Sequence, residues 1–175
     1  MLYCYGYPAL PREMNDPDKI GIYMATSSDG LHWTKKYGRL LPYVAETHKL
    51  VSWDPALRKY VIHLRAIYAN NRPRQRALGR IETEDITRPW PYREGFPLLP
   101  PKFMQMLSSN QVPMVFHADE LDPADTDVYA TSPKKYPWAA DAWVMFPSFY
   151  RHTPPPVGVD GNDGPLSTQF ACSRD

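Results

Sequence analysis

The stretch Met24–Trp33, with the sequence MATSSDGLHW, ends a β-like run in small polar residues, an aspartate and a tryptophan. A strand, an Asx-type turn at Asp29 and an aromatic side chain on the next strand form a hairpin corner. The chain repeats this order at Asp85, which Trp90 follows, and a third copy reaches Asp175. Such corners recur in the blades of β-propellers. The sequence therefore predicts an all-β chain of repeated antiparallel sheets.

The length of the chain predicts an incomplete propeller. Propeller blades run to about 40–50 residues or more and usually number at least four, whereas the chain has 175 residues. We therefore expect roughly two and a half blades in a single incomplete domain. Residues 1–41 are assigned to the first blade and residues 42–101 to the second. Residues 102–175 are assigned to an irregular insertion and part of a third blade.

Alternation of apolar and polar residues locates the strands of the second and third blades. The segments predicted as strands are His48–Trp53, Lys59–Ala66, Ala77–Thr83, Asp127–Thr131, Ala142–Tyr150 and Ser167–Cys172. A Pro-rich segment, Trp90–Pro101, is expected to close the second blade as its outer strand.

Charge and cysteine content exclude several classes of partner. The formal net charge is +1 and no run of like charges occurs, so neither nucleic acid nor an anionic membrane is predicted to bind. No membrane-spanning segment is predicted. Cys4 and Cys172 have no metal-binding or redox spacing, and no cofactor is predicted. The acidic stretch 119–127 is interpreted as a solvated loop, with a structural calcium site as the alternative.

Four pieces of the sequence resemble the five-bladed β-propeller glycoside hydrolases of families 32, 43 and 68. They resemble uncharacterised relatives of these enzymes more than they resemble invertases. The pieces are Ile22–Trp33, Val51–Pro55 followed by Lys59–Val61, Arg76–Arg80, and Gly164–Leu166 leading into Ser173–Asp175. The resemblance implies a carbohydrate substrate, hydrolysis of a glycosidic bond and a secreted or periplasmic location. It also implies acidic residues at the inner ends of successive blades, where radial symmetry brings them to one axis.

Asp54 is the best match to a catalytic position of these families. Trp53-Asp54-Pro55 follows a predicted inner strand and resembles the Asp-Pro element that carries the transition-state stabiliser. The family has arginine before the aspartate, whereas this chain has Trp53, which is therefore a candidate for substrate binding in its place. The alternative interpretation is that Asp54 caps a turn whose backbone Pro55 restricts.

Asp127 opens the next predicted inner strand, where the resemblance places the general acid. The family uses a glutamate there, and no such motif is present. Asp127 can take that role only if burial or a second carboxylate raises its pKa. The nucleophile is expected on an inner strand that precedes Met1.

The remaining candidates are substrate-binding residues at strand ends. Arg65, Arg76 and Arg80 offer bidentate donors to an acidic sugar, or else they pair with the acids of the nearby corner, Glu82, Glu84 and Asp85. Tyr129 and His152 offer ring faces for stacking against a sugar, or else they belong to the core.

The resemblance and these residues together leave three functions open. The first is a glycoside hydrolase that acts through Asp54 and Asp127, since hydrolysis requires one protonated and one ionised carboxyl group. The alternative is a non-catalytic glycan-binding or scaffold propeller, because the glutamate motif is missing and the Arg-Asp-Pro element is altered. A propeller with other chemistry is a third possibility, because this fold hosts many functions.

Overall fold

The computed structural model describes residues 1–5, 21–35, 37–43, 45, 49–68, 75–91, 112–139, 141–153 and 164–174. These residues form β-strands, turns and bends, and none of them lies in a helix. Every strand pairing within this part of the chain is antiparallel. The predicted all-β class is confirmed.

The first sheet contains three short strands in sequence order. They are β1 (Leu2–Tyr5), β2 (Gly21–Thr26) and β3 (Thr34–Lys35). The middle strand, β2, also forms an isolated antiparallel bridge between Ile22 and Leu41.

The second sheet is the longest, and its four strands also follow sequence order. They are β4 (Lys49–Asp54), β5 (Lys59–Tyr68), β6 (Gln75–Thr83) and β7 (Met114–Phe116). Three of these strands were predicted from alternation. The fourth, β7, comes from the stretch predicted as an irregular insertion, whereas Trp90 and Pro91 lie outside any strand and residues 92–101 lie outside the described part.

The remaining strands form two short ladders that share one register. They are β8 (Thr126–Ala130), β9 (Lys134–Lys135), β10 (Trp143–Met145), β11 (Ser148–Arg151), β12 (Leu166–Thr168) and β13 (Ala171–Ser173). The pairs Met145–Ala171 and Ser148–Thr168 are three residues apart on both strands, so the ladder continues across the interruption. We treat these ladders as a third sheet, a meander of three interrupted strands, as predicted.

The second sheet lies between the other two, and both faces of its strand β5 are therefore buried. Alternate residues of a strand point to opposite faces. Ile62 and Leu64 belong to an apolar cluster that also contains Ile22 and Met24 of β2. The other face of β5 and β6 packs against the third sheet, and we describe it below. This order of sequential meanders is that of propeller blades, but the described residues do not form a closed ring, so the propeller stays a prediction.

The first predicted corner is an Asx turn. Asp29 Oδ1 accepts hydrogen bonds from the backbone N–H groups of Leu31 and His32, each at 2.8 Å. Gly30 has a φ of 77°, a left-handed conformation that glycine adopts without steric cost. Trp33 was predicted to lie on the next strand, but it lies immediately before that strand. Its indole N–H donates back to the Gly30 carbonyl oxygen at 3.0 Å.

The second corner has a similar pattern of hydrogen bonds in a different environment. Asp85 Oδ1 accepts from the Thr87 N–H at 2.9 Å, and the Trp90 indole donates to the Ile86 carbonyl oxygen at 3.3 Å. Trp90 belongs to the apolar cluster and is 1% exposed, whereas Trp33 is 45% exposed. The third predicted corner ends at Asp175, which lies outside the described residues.

Candidate functional site: the polar interface between the second and third sheets

Four basic side chains lie on the face of β5 and β6 that packs against the third sheet. They are His63, Arg65, Arg76 and Arg80. The cross-strand pairs His63–Arg80, Arg65–Leu78 and Ile67–Arg76 place all four on one face. Opposite them the third sheet presents acidic, aromatic and basic side chains, namely Asp127, Tyr129, Lys135, Trp143 and Tyr150. We call these two sets together the polar interface.

Asp127 is at the centre of one half of the polar interface. Its side chain is 1% exposed. Its Oδ2 accepts a hydrogen bond from the Arg76 backbone N–H at 3.1 Å, and Arg76 Nη1 lies 3.2 Å away. His152 Nε2 lies 3.2 Å from the same oxygen. The carboxylate therefore joins β6 of the second sheet to the residue that follows β11 in the third.

Tyr129 lies beside Asp127 at a β-bulge. Val128 pairs with Phe149 and Ala130 with Ser148, so Tyr129 is the additional residue on β8. A bulge leaves its extra residue out of the ladder, and the Tyr129 carbonyl oxygen instead accepts a hydrogen bond from Arg65 Nη2 at 2.6 Å. The bulge thereby turns a backbone oxygen towards the second sheet.

Two guanidinium groups lie over the ring of Tyr129. The Cζ atoms of Arg65 and Arg76 are 5.4 and 5.1 Å from the ring centroid, within cation–π distance. Arg65 is buried, and burial, together with the positive charge of Arg76, lowers its pKa. Tyr129 as a whole residue is 38% exposed, whereas Asp127 beside it is buried. We call Arg65, Arg76, Asp127, Tyr129 and His152 the Asp127 cluster.

Asp54, at the end of β4, lies on the same face of the second sheet as His63, beside the other half of the polar interface, and is 1% exposed. Its Oδ1 accepts from the N–H groups of Ala56 and Leu57 at 2.9 and 3.2 Å, which is an Asx turn. Its Oδ2 accepts from Lys135 Nζ at 2.5 Å. Burial opposes ionisation, but the Lys135 hydrogen bond and the two backbone N–H groups outweigh it, and the pKa of Asp54 is lowered. An ionised Asp54 matches a stabilising carboxylate and does not match a proton donor.

Lys135 and Trp143 connect Asp54 with Arg80 and His63. Lys135 Nζ is 5.5 Å and Arg80 Cζ is 5.7 Å from the ring of Trp143. The His63 ring meets the same indole edge-on, with 5.2 Å between centroids. Arg80 Nη2 also donates to Glu82 Oε1 at 2.8 Å, which is the acid pairing considered from the sequence. We call Asp54, His63, Arg80, Lys135 and Trp143 the Trp143 cluster.

The structure thus divides the predicted site residues between two places. Arg65, Asp127, Tyr129 and His152 come together, while Asp54 and Arg80 lie in the Trp143 cluster. Trp53 belongs to neither. Trp53 lies on the opposite face of β4 and is half exposed. Its ring packs edge-on against that of Tyr60, with 5.0 Å between the ring centroids.

Sequence analysis named Arg76 only as one of several arginines at strand ends, and it did not select Lys135. Arg76 lies 51 residues from Asp127, and Lys135 lies 81 residues from Asp54. Arg76 had a local signal, because it opens the RALGR piece at a strand end. Lys135 had none, since a surface-like Lys-Lys pair in a short strand is a common pattern.

No metal site is evident in the part of the chain that the structure describes. No group of three or more His, Cys, Asp or Glu side chains there is arranged to hold an ion. In the acidic stretch, Asp119 and Asp122 hydrogen bond to backbone N–H groups of their own turn. Asp125 pairs with Arg151 at 3.3 Å.

Comparisons with known proteins give no further assignment, because no family model, curated protein or solved structure matches the chain. Among the described residues, no helix has the length and apolar character needed to cross a membrane.

Proposed function

We propose that this chain is part of a carbohydrate-binding β-propeller and that the Asp127 cluster is its sugar-binding site. The observation that carries the proposal is the position of Tyr129, a partly exposed aromatic residue in a cluster with two arginines, a histidine and a buried carboxylate. Sugars stack their apolar faces on aromatic rings and take hydrogen bonds from charged side chains. The resemblance to propeller glycoside hydrolases favours the same class of ligand.

Binding is favoured over catalysis by the partners of the two aspartates. Hydrolysis requires one protonated carboxyl group and one ionised carboxylate on either side of the scissile bond. Asp54 is held by Lys135, and its pKa is lowered. Asp127 is held by Arg76 and His152. Asp54 and Asp127 are each 1% exposed. Neither is placed to donate a proton to a leaving group.

A glycan-binding assay tests the proposal. We expect an array of neutral and acidic glycans to identify a ligand, and Tyr129→Ala to weaken its binding about tenfold because the stacking face is lost. Tyr136→Ala is the matched control, because Tyr136 is similarly exposed but packs against Trp138 outside the cluster. Absence of any glycan ligand, or an equal loss in both variants, would contradict the proposal.

Glycoside hydrolysis is the second candidate function. The observation in its favour is that two buried aspartates lie on neighbouring sheets. Release of sugar from a glycan panel, reduced at least about a hundredfold by Asp54→Asn in a folded protein, would favour the hydrolase. The same assay with Asp127→Asn tests the other carboxylate. No release, together with binding that depends on Tyr129, would favour the binding protein.

A further inference from the structure

A cavity of about 430 Å³ lies between β6 and β7 of the second sheet and β10 and β13 of the third. This volume is within the range of small-molecule sites, about 300–1,000 Å³. The walls are mostly apolar and include Leu78, Phe116, Val144 and Met145. Such walls cannot satisfy the many hydroxyl groups of a sugar. The cavity therefore differs in chemistry from the Asp127 cluster.

Polar residues also line this cavity, and the two with the largest polar side chains are His63 and Arg80. They are cross-strand partners on β5 and β6. His63 is 5% exposed, and its Nδ1 has no hydrogen-bond partner among the described residues. Arg80 Nε is also buried and, within the same residues, has no partner. Buried polar atoms without partners are uncommon in folded proteins, and here both belong to side chains that line one cavity.

The charged groups around Arg80 leave an excess of positive charge. Arg80 Nη2 binds Glu82 Oε1, and Lys59 Nζ lies 3.6 Å from the other oxygen of Glu82. Two cations thus share one carboxylate. Burial, and then the charge of Arg80, lower the pKa of His63 to about 4, so its ring is neutral at pH 7 and can either donate or accept a hydrogen bond.

We propose that this cavity binds a small, flat, apolar carboxylate. Its carboxylate lies at Arg80 and His63, and its ring packs between the Trp143 indole and the apolar side chains of β6 and β10. Arg80 provides the charge-assisted donors, and the apolar walls exclude hydrophilic anions. This ligand class is distinct from the glycan proposed for the Asp127 cluster, and the two proposals can fail independently.

The experiment compares two probes of equal shape, 2-naphthoate and its uncharged amide 2-naphthamide, by titration calorimetry. We expect the carboxylate to bind at least about tenfold more tightly than the amide. Arg80→Gln is expected to abolish that preference. Arg88→Gln is the matched control, because exposed Arg88 pairs with Asp85 at 3.1 Å in a corner, as Arg80 pairs with Glu82. This control should retain the preference.

A second variant and a second readout keep the test decisive. Ala171→Phe, on β13, introduces a ring into the cavity and is expected to remove 2-naphthoate binding. Cys172 also lines the cavity and is exposed, so 2-naphthoate should slow its modification by a thiol reagent in a Cys4→Ser background. Circular dichroism checks that each variant folds, and if Arg80→Gln does not, Ala171→Phe decides.

Three results would overturn the proposal. They are no binding of 2-naphthoate, equal binding of the amide, and 2-naphthoate binding that both variants leave unchanged. Loss of 2-naphthoate binding in Tyr129→Ala would also count against it, because Tyr129 does not line this cavity.

Discussion

The two faces of β5 are held by different interactions, although their residues alternate along one strand. Ile62 and Leu64 pack with residues of β2 in an apolar cluster. His63 and Arg65 face the third sheet, where ion pairs and cation–π contacts predominate. Apolar burial stabilises in proportion to area, whereas buried charges gain attraction but lose hydration. The apolar face therefore supplies most of the stability, and the polar face fixes which groups meet.

The largest effect is expected on the apolar face. Leu64→Ala should lower the free energy of unfolding by about 4 kcal/mol, because the side chain is fully buried and its removal leaves a cavity. Chemical denaturation measures the change. Leu57→Ala, in the exposed turn after β4, is the control and should change stability by less than about 1 kcal/mol. A loss below about 1 kcal/mol for Leu64→Ala would show that this face is not the main source of stability.

A smaller but substantial effect is expected where the polar face is broken at one group. Asp127→Asn removes the buried charge that Arg76 and His152 contact, and it should cost about 3 kcal/mol. Asp125→Asn is the matched control, because its pair with Arg151 is exposed and should be worth less than about 1 kcal/mol. Equal effects of the two substitutions in denaturation curves would contradict a special role for the buried pair.

The smallest effect is expected in the dependence of folding stability on acidic pH. The pKa of His63 is about 4 in the folded protein and about 6.5 when unfolded, so the unfolded chain binds more protons between these values. Stability is then fully present above pH 6.5 and falls as the pH drops towards 4, with a loss of about 2 kcal/mol at pH 5. His63→Phe should flatten this part of the pH profile relative to the original protein. Identical profiles would show that His63 does not control acid sensitivity.

Local sequence pattern predicted much of the secondary structure. The strands around Ile62, Ile81 and Phe149 were located because apolar residues alternate with polar ones over several positions. The turns at Asp29 and Asp85 were predicted because an aspartate oxygen bonds to N–H groups two or three residues later. These interactions depend only on neighbours in the chain.

The composition of the candidate site was less predictable. The sequence indicated Asp54 and Asp127 as a pair of acids, but the structure gives each its own basic partner. The strand β7 was not located, and its stretch was predicted as irregular, since three residues between turns carry little periodic signal.

The sequence by itself determined the all-β class, the sequential meanders and the Asx corners, because each arises from interactions between near neighbours. Only the tertiary structure decided that Lys135 binds Asp54, that Arg76 binds Asp127 and that a bulge turns the Tyr129 carbonyl towards Arg65. These contacts join residues more than 50 positions apart. They exist only because two sheets pack face to face, and no local periodicity specifies which charges then meet.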